Sequence, residues 1–370
     1  MLAGSASAAA LVSAGVVPGL RAIAASSPDA NTVALVFGTI DFEPLLSNWA
    51  CHALHLGIRW FILVAMDDAL HASLSRRPIL NSHVVLLPGN RTITKLNVIG
   101  ERQRFGLTLL EAGLNIVHTD ADALWLRDPT PLFRGGDVVA ERIWGKPSSV
   151  VTAWGAGICT GFYYLRSTPA VRALARSVRD EIHRKRSRQP AWQASDQFFV
   201  NVVLHRLGVT WRGGAKMLGM TDINTRFHDP NATIGDVVNA PHGSMTIVML
   251  AHVIVPRACP VLSPAELRSL ADASPRRTES GRQLRAKTRT HKQRHAPARL
   301  RGKALFWRKL LDTSYVLHCF PPGGDPLPGE RRFIFMGHPR HTHAEIAFAR
   351  RQGLWRVDDG ADGRCLPASR

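Results

Sequence analysis

The chain has 370 residues, 45% hydrophobic and 20% charged, which suffices for a sizeable buried core and excludes wholesale disorder. Its 47 Lys and Arg against 28 acids leave a formal charge of +19, but eleven of those cations and a single acid, Glu279, lie between Arg276 and Lys303. About half the excess belongs to that one stretch, so charge alone defines no polyanion-binding surface.

Residues 1–30 are mildly apolar, lack a basic leader and are interrupted by Pro18. They are too short and weak for a membrane span, so the segment is expected to be either disordered or the remnant of an anchor, and no membrane anchor is evident. From Asn31 the pattern is α/β. TVALVFG reads as a strand ending at Gly38, Phe42–Leu56 as a helix, and IRWFILVAMDD as a second strand closed by Asp67 and Asp68. SHVVLLPG reads as a third strand, 97–112 as a helix stopped by Gly113, and LNIVHTDAD as a fourth strand. This alternation predicts a mainly parallel sheet covered on both faces, with ligands at the carboxyl ends of its strands. Asp67, Asp68, Asp120 and Asp122 are all expected on that rim.

Further on, ICTGFYYLRST is a strand, PAVRALARSVRDEIHRK a helix opened by Pro169, and SDQFFVNVVLHRLG a helix for which Ser195 is a candidate cap. MTIVMLAHVIVP and SYVLHCF read as later strands. Residues 272–304 have no periodic apolar positions and are expected to be a basic, disordered insertion. The five cysteines form no C-x-x-C pair, which disfavours zinc-ribbon and thioredoxin-type sites and leaves room for one or two bridges in an oxidising compartment. Sequons at Asn90 and Asn231 fit a secretory route.

The chemistry concentrates in HTDADALWLRDP, residues 118–129. In an extended backbone Asp120 and Asp122 face the same side across the small Ala121. Two hard oxygen donors with room for water suit Mg²⁺ or Mn²⁺, whose shell substrate phosphates commonly complete. No Walker or G-x-G-x-x-G motif is present, which disfavours nucleotide hydrolysis and dinucleotide chemistry. His338, His341 and His343 read as surface polar residues rather than a zinc site.

The run EAGLNIVHTDADALWLRDPTPLF resembles the signature of the nucleotide-diphospho-sugar transferase family, which has a GT-A-type fold and includes plant and algal cell-wall xylosyl- and arabinosyltransferases. NTVALVFGT and AMDD before it, and TGFYYLRSTP, SDQFFVN and YVLHCF after it, follow in the family's order. The resemblance implies a single large GT-A-type (Rossmann-like) domain over 31–271 and 305–360. It implies a retaining glycosyltransferase that uses Mn²⁺ (or Mg²⁺) and a nucleotide-sugar donor, a UDP-pentose or UDP-hexose. The acceptor is expected to be a glycan or glycoprotein and the setting the Golgi.

Residue by residue, the resemblance makes Asp120 and Asp122 the metal and diphosphate site, with His318 a third metal ligand. It places Thr39 and Asp67 near the nucleoside and Arg102, where relatives often have Lys, near a phosphate. Asp196 and Gln197 fall beside sugar and acceptor, and Gly161 allows close backbone approach. The chain departs from the pattern after His318, where Glu330 or Arg340 stands in place of an expected Lys; Arg331 and Arg332 are other candidates. That departure keeps a second expectation open, a catalytically degenerate sugar-nucleotide binder. A basic nucleic-acid binder is the remaining alternative, weakened by the lack of aromatics among the cations of 272–304.

Overall fold

The computed structural model describes residues 16–87, 95–125, 128–143, 147–185, 195–212, 233–238, 240, 242–250, 316–318, 346, 350, 355–358 and 364–366. The basic segment 272–304, most of 305–360, both sequon asparagines, Glu330, Arg331, Arg332, Arg340 and the three histidines of GHPRHTH lie outside the described residues.

The first half runs α1 (Val16–Ala24), β1 (Thr32–Gly38), α2 (Glu43–His55), β2 (Phe61–Ala65), α3 (Asp68–Ser75), β3 (Val84–Leu86), α4 (Lys95–Glu111), β4 (Asn115–Thr119) and β5 (Ala123–Trp125). It continues through β6 (Val138–Ile143), α5 (Ser148–Trp154), β7 (Gly157–Leu165), α6 (Pro169–Lys185), α7 (Asp196–Arg206), β8 (Thr210–Trp211), β9 (Thr233–Val237), β10 (Met245–Leu250) and β11 (Val316–His318). Within the stretch expected to be disordered or an anchor remnant, α1 instead packs on the fold, with Leu20 and Ala24 buried in the core.

One sheet has the order β3-β2-β1-β4-β7-β6-β10-β9-β8, and β5 pairs separately with β11. The expected α/β class with a mainly parallel sheet is found; within it β7 runs antiparallel to both β4 and β6, and β9 is reversed as well. The remaining strands point the same way. Chain order reverses between β1 and β4, so a crevice opens at their carboxyl ends.

All seven residues of β1 are buried, which is why TVALVFG is a continuous apolar run instead of an alternating one. Val33, Leu35 and Phe37 join a core with α1, α4, α6 and α7, whereas Ala34 and Val36 join a second core on the opposite face. That second core is aromatic, built on Trp49, Trp60, Trp125, Phe133, Phe162 and Tyr164, and α2 and α3 cover it. Gly106 lets α4 lie close to the sheet, since a Cβ there would sit 2.7 Å from His118 Nε2. His118 is buried beside Phe37 and Tyr163. Burial, and after it the nearby Arg102, hold its pKa well below the usual imidazole value, so it packs as a neutral ring.

The end of the chain folds back on α2. The Arg356 amide donates to Asn48 Oδ1 at 2.6 Å, Trp355 packs against the aromatic core, and Cys51 forms a disulfide with Cys365. Cys159 is free and buried, while Cys259 and Cys319 lie outside the described residues.

Two stability measurements follow from these contacts. The disulfide spans 314 residues, and Cys365→Ser is expected to lower unfolding free energy by about 2–5 kcal/mol in a denaturant titration. His118 has a depressed folded-state pKa, so its contribution is complete above the ordinary value of 6.5 and is lost as pH falls below it, where only the unfolded chain takes up the proton. Between pH 7.5 and 5, His118→Leu is expected to reduce the pH dependence of unfolding by about one proton.

Candidate active site

The acidic motif sits where β4 ends, at the crevice between β1 and β4. It is not extended, as the sequence suggested. Residues 120–123 form a turn in which the Ala123 amide donates to the Asp120 carbonyl at 3.0 Å. The Asp120 amide donates to the Gly161 carbonyl at 2.9 Å, which hooks the start of the turn onto β7. Leaving β4, the chain must turn away to begin β5 in the separate two-stranded ladder, and a turn rather than the strand pleat brings the two aspartates to one place. Both act on the buried Cys159: burial pushes its thiol well up and Glu141 pushes further, the backbone hydrogen bond from Gly161 opposes this, and Asp120 and then Asp122 add lesser upward pushes. Asp128 makes a local turn, its carboxylate accepting from the Thr130 amide.

Arg102 reaches this point from the middle of α4 and is only 4% exposed. Its Nη1 donates to Asp120 Oδ1 at 2.8 Å, its Nη2 donates to the Thr160 carbonyl at 3.0 Å, and its Nε lies 3.5 Å from Asp196 Oδ2. Burial alone lowers the guanidinium pKa, but Asp196 and then Asp120 outweigh it and raise the value above normal, so the cation is secure. Arg102, expected beside a phosphate, contacts two carboxylates and a carbonyl in this structure.

Asp196 opens α7 behind the Ser195 cap, whose hydroxyl accepts from the Phe198 amide. Its Oδ1 accepts from Thr160 Oγ1 at 3.0 Å and from the Gln197 amide at 2.9 Å. Its Oδ2 is buried without a hydrogen-bond partner. The helix is fixed in place by Asn201, whose side chain accepts from the Ile158 amide and donates to the Ile158 carbonyl, both at 2.7 Å. A buried asparagine in mid-helix is a poor helix former, and that was the available sign that Asn201 serves tertiary structure. Thr160 carried no sequence signal beyond standing next to Gly161.

The other expected residues fall around the same crevice. Thr39 is half-buried in extended backbone at the exit of β1. Asp67 caps α3, with Oδ1 accepting from the Leu70 amide at 2.7 Å and Oδ2 from the Ile40 amide at 3.0 Å. Its carboxylate therefore shapes the loop carrying Thr39. Gln197 is half-buried next to Asp196. The backbone of His318 pairs opposite Ala123, one residue past Asp122. Among the described residues no cluster of three or more His, Cys, Asp or Glu is preformed for a metal ion. Two carboxylates at an open turn nevertheless fit a hard divalent cation that takes its remaining oxygens from phosphate.

The Arg102 contacts make a direct prediction. Arg102→Met leaves two largely buried carboxylates without their cation and is expected to cost about 3–5 kcal/mol of stability in a denaturant titration. Arg102→Lys, lacking the planar fork, is expected to recover only part of that loss.

The sequence model described as nucleotide-diphospho-sugar transferase matches residues 57–232. The beta-arabinofuranosyltransferase RAY1 of Arabidopsis thaliana is 24% identical over 231 residues, covering 56% of this chain and 40% of that protein. The UDP-D-xylose:L-fucose alpha-1,3-D-xylosyltransferase 3 of the same plant is 24% identical over 198 residues, covering 48% of this chain and 51% of its own. The chain thus spans about half the length, or less, of these curated relatives. Among solved structures, the galactosyltransferase LgtC aligns at 13% identity and TM-score 0.34, covering 46% of this chain and 69% of its own. Glycosyltransferase GlyE of Streptococcus pneumoniae TIGR4 aligns at 12% and 0.33, covering 48% and 44%. Residues 57–232, which include Asp67, Arg102, Asp120, Asp122, Gly161, Asp196 and Gln197, are therefore similar to the nucleotide-diphospho-sugar transferase family.

Proposed function

We propose that the chain is a GT-A-type, Mn²⁺-dependent retaining glycosyltransferase that moves a sugar from a UDP-pentose or UDP-hexose to a glycan or glycoprotein. The supporting observation is the buried Arg102 bridge, which joins Asp120 of the acidic turn to Asp196 at the start of α7. One cation thereby holds a diphosphate-side carboxylate and a sugar-side carboxylate in fixed relation.

On this reading Asp120 and Asp122, with His318, hold the divalent ion, and Thr39 borders the nucleoside. When bound, the ion supplies Lewis-acid stabilisation of the charge that grows on the leaving diphosphate. The protein's own contribution is position and preorganised charge. Arg102 keeps Asp120 turned. Asp196 Oδ2 faces Arg102 Nε at 3.5 Å but accepts no hydrogen bond, and on this reading it takes one from a donor-sugar hydroxyl. Thr160, Gln197 and Arg102 all engage Asp196, so it serves as a fixed hydrogen-bonding group, and the departing phosphate takes the acceptor's proton.

The Cys51–Cys365 disulfide fits an oxidising compartment, in keeping with a Golgi setting. Among the described residues no helix is long and apolar enough to cross a membrane.

The test is UDP release from a panel of UDP-sugars, with and without Mn²⁺. Mn²⁺-dependent release from one donor is expected, reduced on the order of 100-fold or more in Asp120→Ala/Asp122→Ala. Mn²⁺-dependent UDP binding without release from any donor, glycan acceptors included, would replace the transferase with a degenerate sugar-nucleotide binder. Absence of both binding and release would remove the site.

A further inference from the structure

The acidic turn is held at its start by β7. Its far end is held by a residue ahead of the family-matched segment, on a helix that the chemistry above does not use. Trp49 of α2 is fully buried, and its indole N–H donates to the Ala123 carbonyl at 3.1 Å. Ala123 directly follows Asp122, and its own amide closes the turn onto the Asp120 carbonyl. The Ala123 residue is therefore gripped twice, through its N–H by the turn and through its C=O by Trp49. β5, which begins at Ala123, belongs to the small ladder with β11 and not to the main sheet. The Trp49 bond ties that ladder, and with it the backbone of His318, to a rigid element of the fold.

Trp49 has little freedom to relax. Its ring meets Trp125 edge-on at 5.0 Å and Phe61 at 5.4 Å. Nine consecutive residues of α2, Leu45–Ala53, are buried. Asn48 and Cys51, one turn apart, anchor that segment through Arg356 and Cys365. On the inner side Gly38 admits Leu46 so closely that a Cβ would sit 2.4 Å from it.

We propose that Trp49 is a positioning residue for the cation site: its indole N–H fixes the Ala123 carbonyl and so presets Asp122 for the divalent ion. The inference rests on the assignment of Asp120 and Asp122 as that site. Hydrogen-bonding partners one step removed from metal ligands commonly change metal affinity by about 10–100-fold when lost. Loss of the Trp49 donor frees the exit of the turn without removing a ligand. The cation must then order the turn as it binds, and the effect falls on cation affinity rather than on nucleotide affinity once the ion saturates.

The experiment titrates Mn²⁺ in a UDP-binding assay with the full chain. Trp49→Phe keeps an aromatic ring but lacks the donor, and is expected to raise the Mn²⁺ concentration for half-maximal UDP binding by about tenfold. At saturating Mn²⁺ its UDP affinity is expected to stay within about twofold of wild type. Leu74→Ala opens a cavity in the same core, away from the turn, and is expected to lower thermal stability while leaving the Mn²⁺ requirement unchanged. Site-specific benzothienylalanine at position 49 replaces N–H by sulfur in an indole-shaped ring, and is expected to reproduce the Trp49→Phe shift even if that variant folds poorly. An unchanged Mn²⁺ requirement in either position-49 variant, or an equal shift in Leu74→Ala, overturns the role of Trp49. Failure of the wild type to bind UDP in a Mn²⁺-dependent way overturns the site assignment, and the inference with it.

Discussion

One buried guanidinium organises the crevice. Arg102 lies between Asp120, which ends β4, and Asp196, which begins α7, and it also takes the Thr160 carbonyl from β7. Three parts of the chain, widely separated in sequence, thereby meet around one positive charge. A charge taken out of water at this depth persists only with close partners, so each carboxylate is as necessary to Arg102 as Arg102 is to them. The arrangement is mutually dependent, and in it Asp196 Oδ2 faces Arg102 Nε at 3.5 Å without accepting a hydrogen bond.

The reversal of β7 is what brings these groups together. In a wholly parallel sheet the beginning of β7 would lie at the opposite end from the carboxyl terminus of β4. Because β7 is antiparallel, Thr160 and Gly161 stand beside Thr119 and Asp120, and α7, clipped to Ile158 by Asn201, places Asp196 next to them. The phosphate-facing and sugar-facing sides of the proposed site are thus carried by strands and a capped helix, with the acidic turn hooked between them. Sites on such elements hold geometry better than sites on free loops.

A second layer of support lies on the far face. Residues Leu45–Ala53 of α2 are all buried, which an isolated surface helix would not show, and returning residues meet it at Arg356–Asn48 and Cys365–Cys51. This layer falls outside the segment matched by the family, yet through Trp49 it reaches the residue directly after the acidic motif. In the proposed function the carboxylates carry the chemistry, and α2 lies behind them.

Much of the framework was legible in the residues themselves. The continuous apolar run of β1, the span of α6 from Pro169, the Ser195 cap and the position of Asp120 after an apolar strand all follow from local rules, because period, caps and propensity act within a few residues. Other features were not legible. α1 was missed because two buried side chains, Leu20 and Ala24, give little periodic signal. Asp120 and Asp122 were expected on one face of a strand, whereas the departure of β5 from the sheet makes the motif a turn. The two backbone amides that Asp67 accepts, from Leu70 and Ile40, were likewise not legible in the sequence. The sequence by itself determined the strands, the helices and the acidic motif at a strand end. Only the tertiary structure decided the direction of β7, the burial of Arg102 between two carboxylates and the closure of Cys51 onto Cys365. Each of these depends on contacts between residues far apart along the chain, where loop closure and desolvation, not local preference, determine which pairing survives.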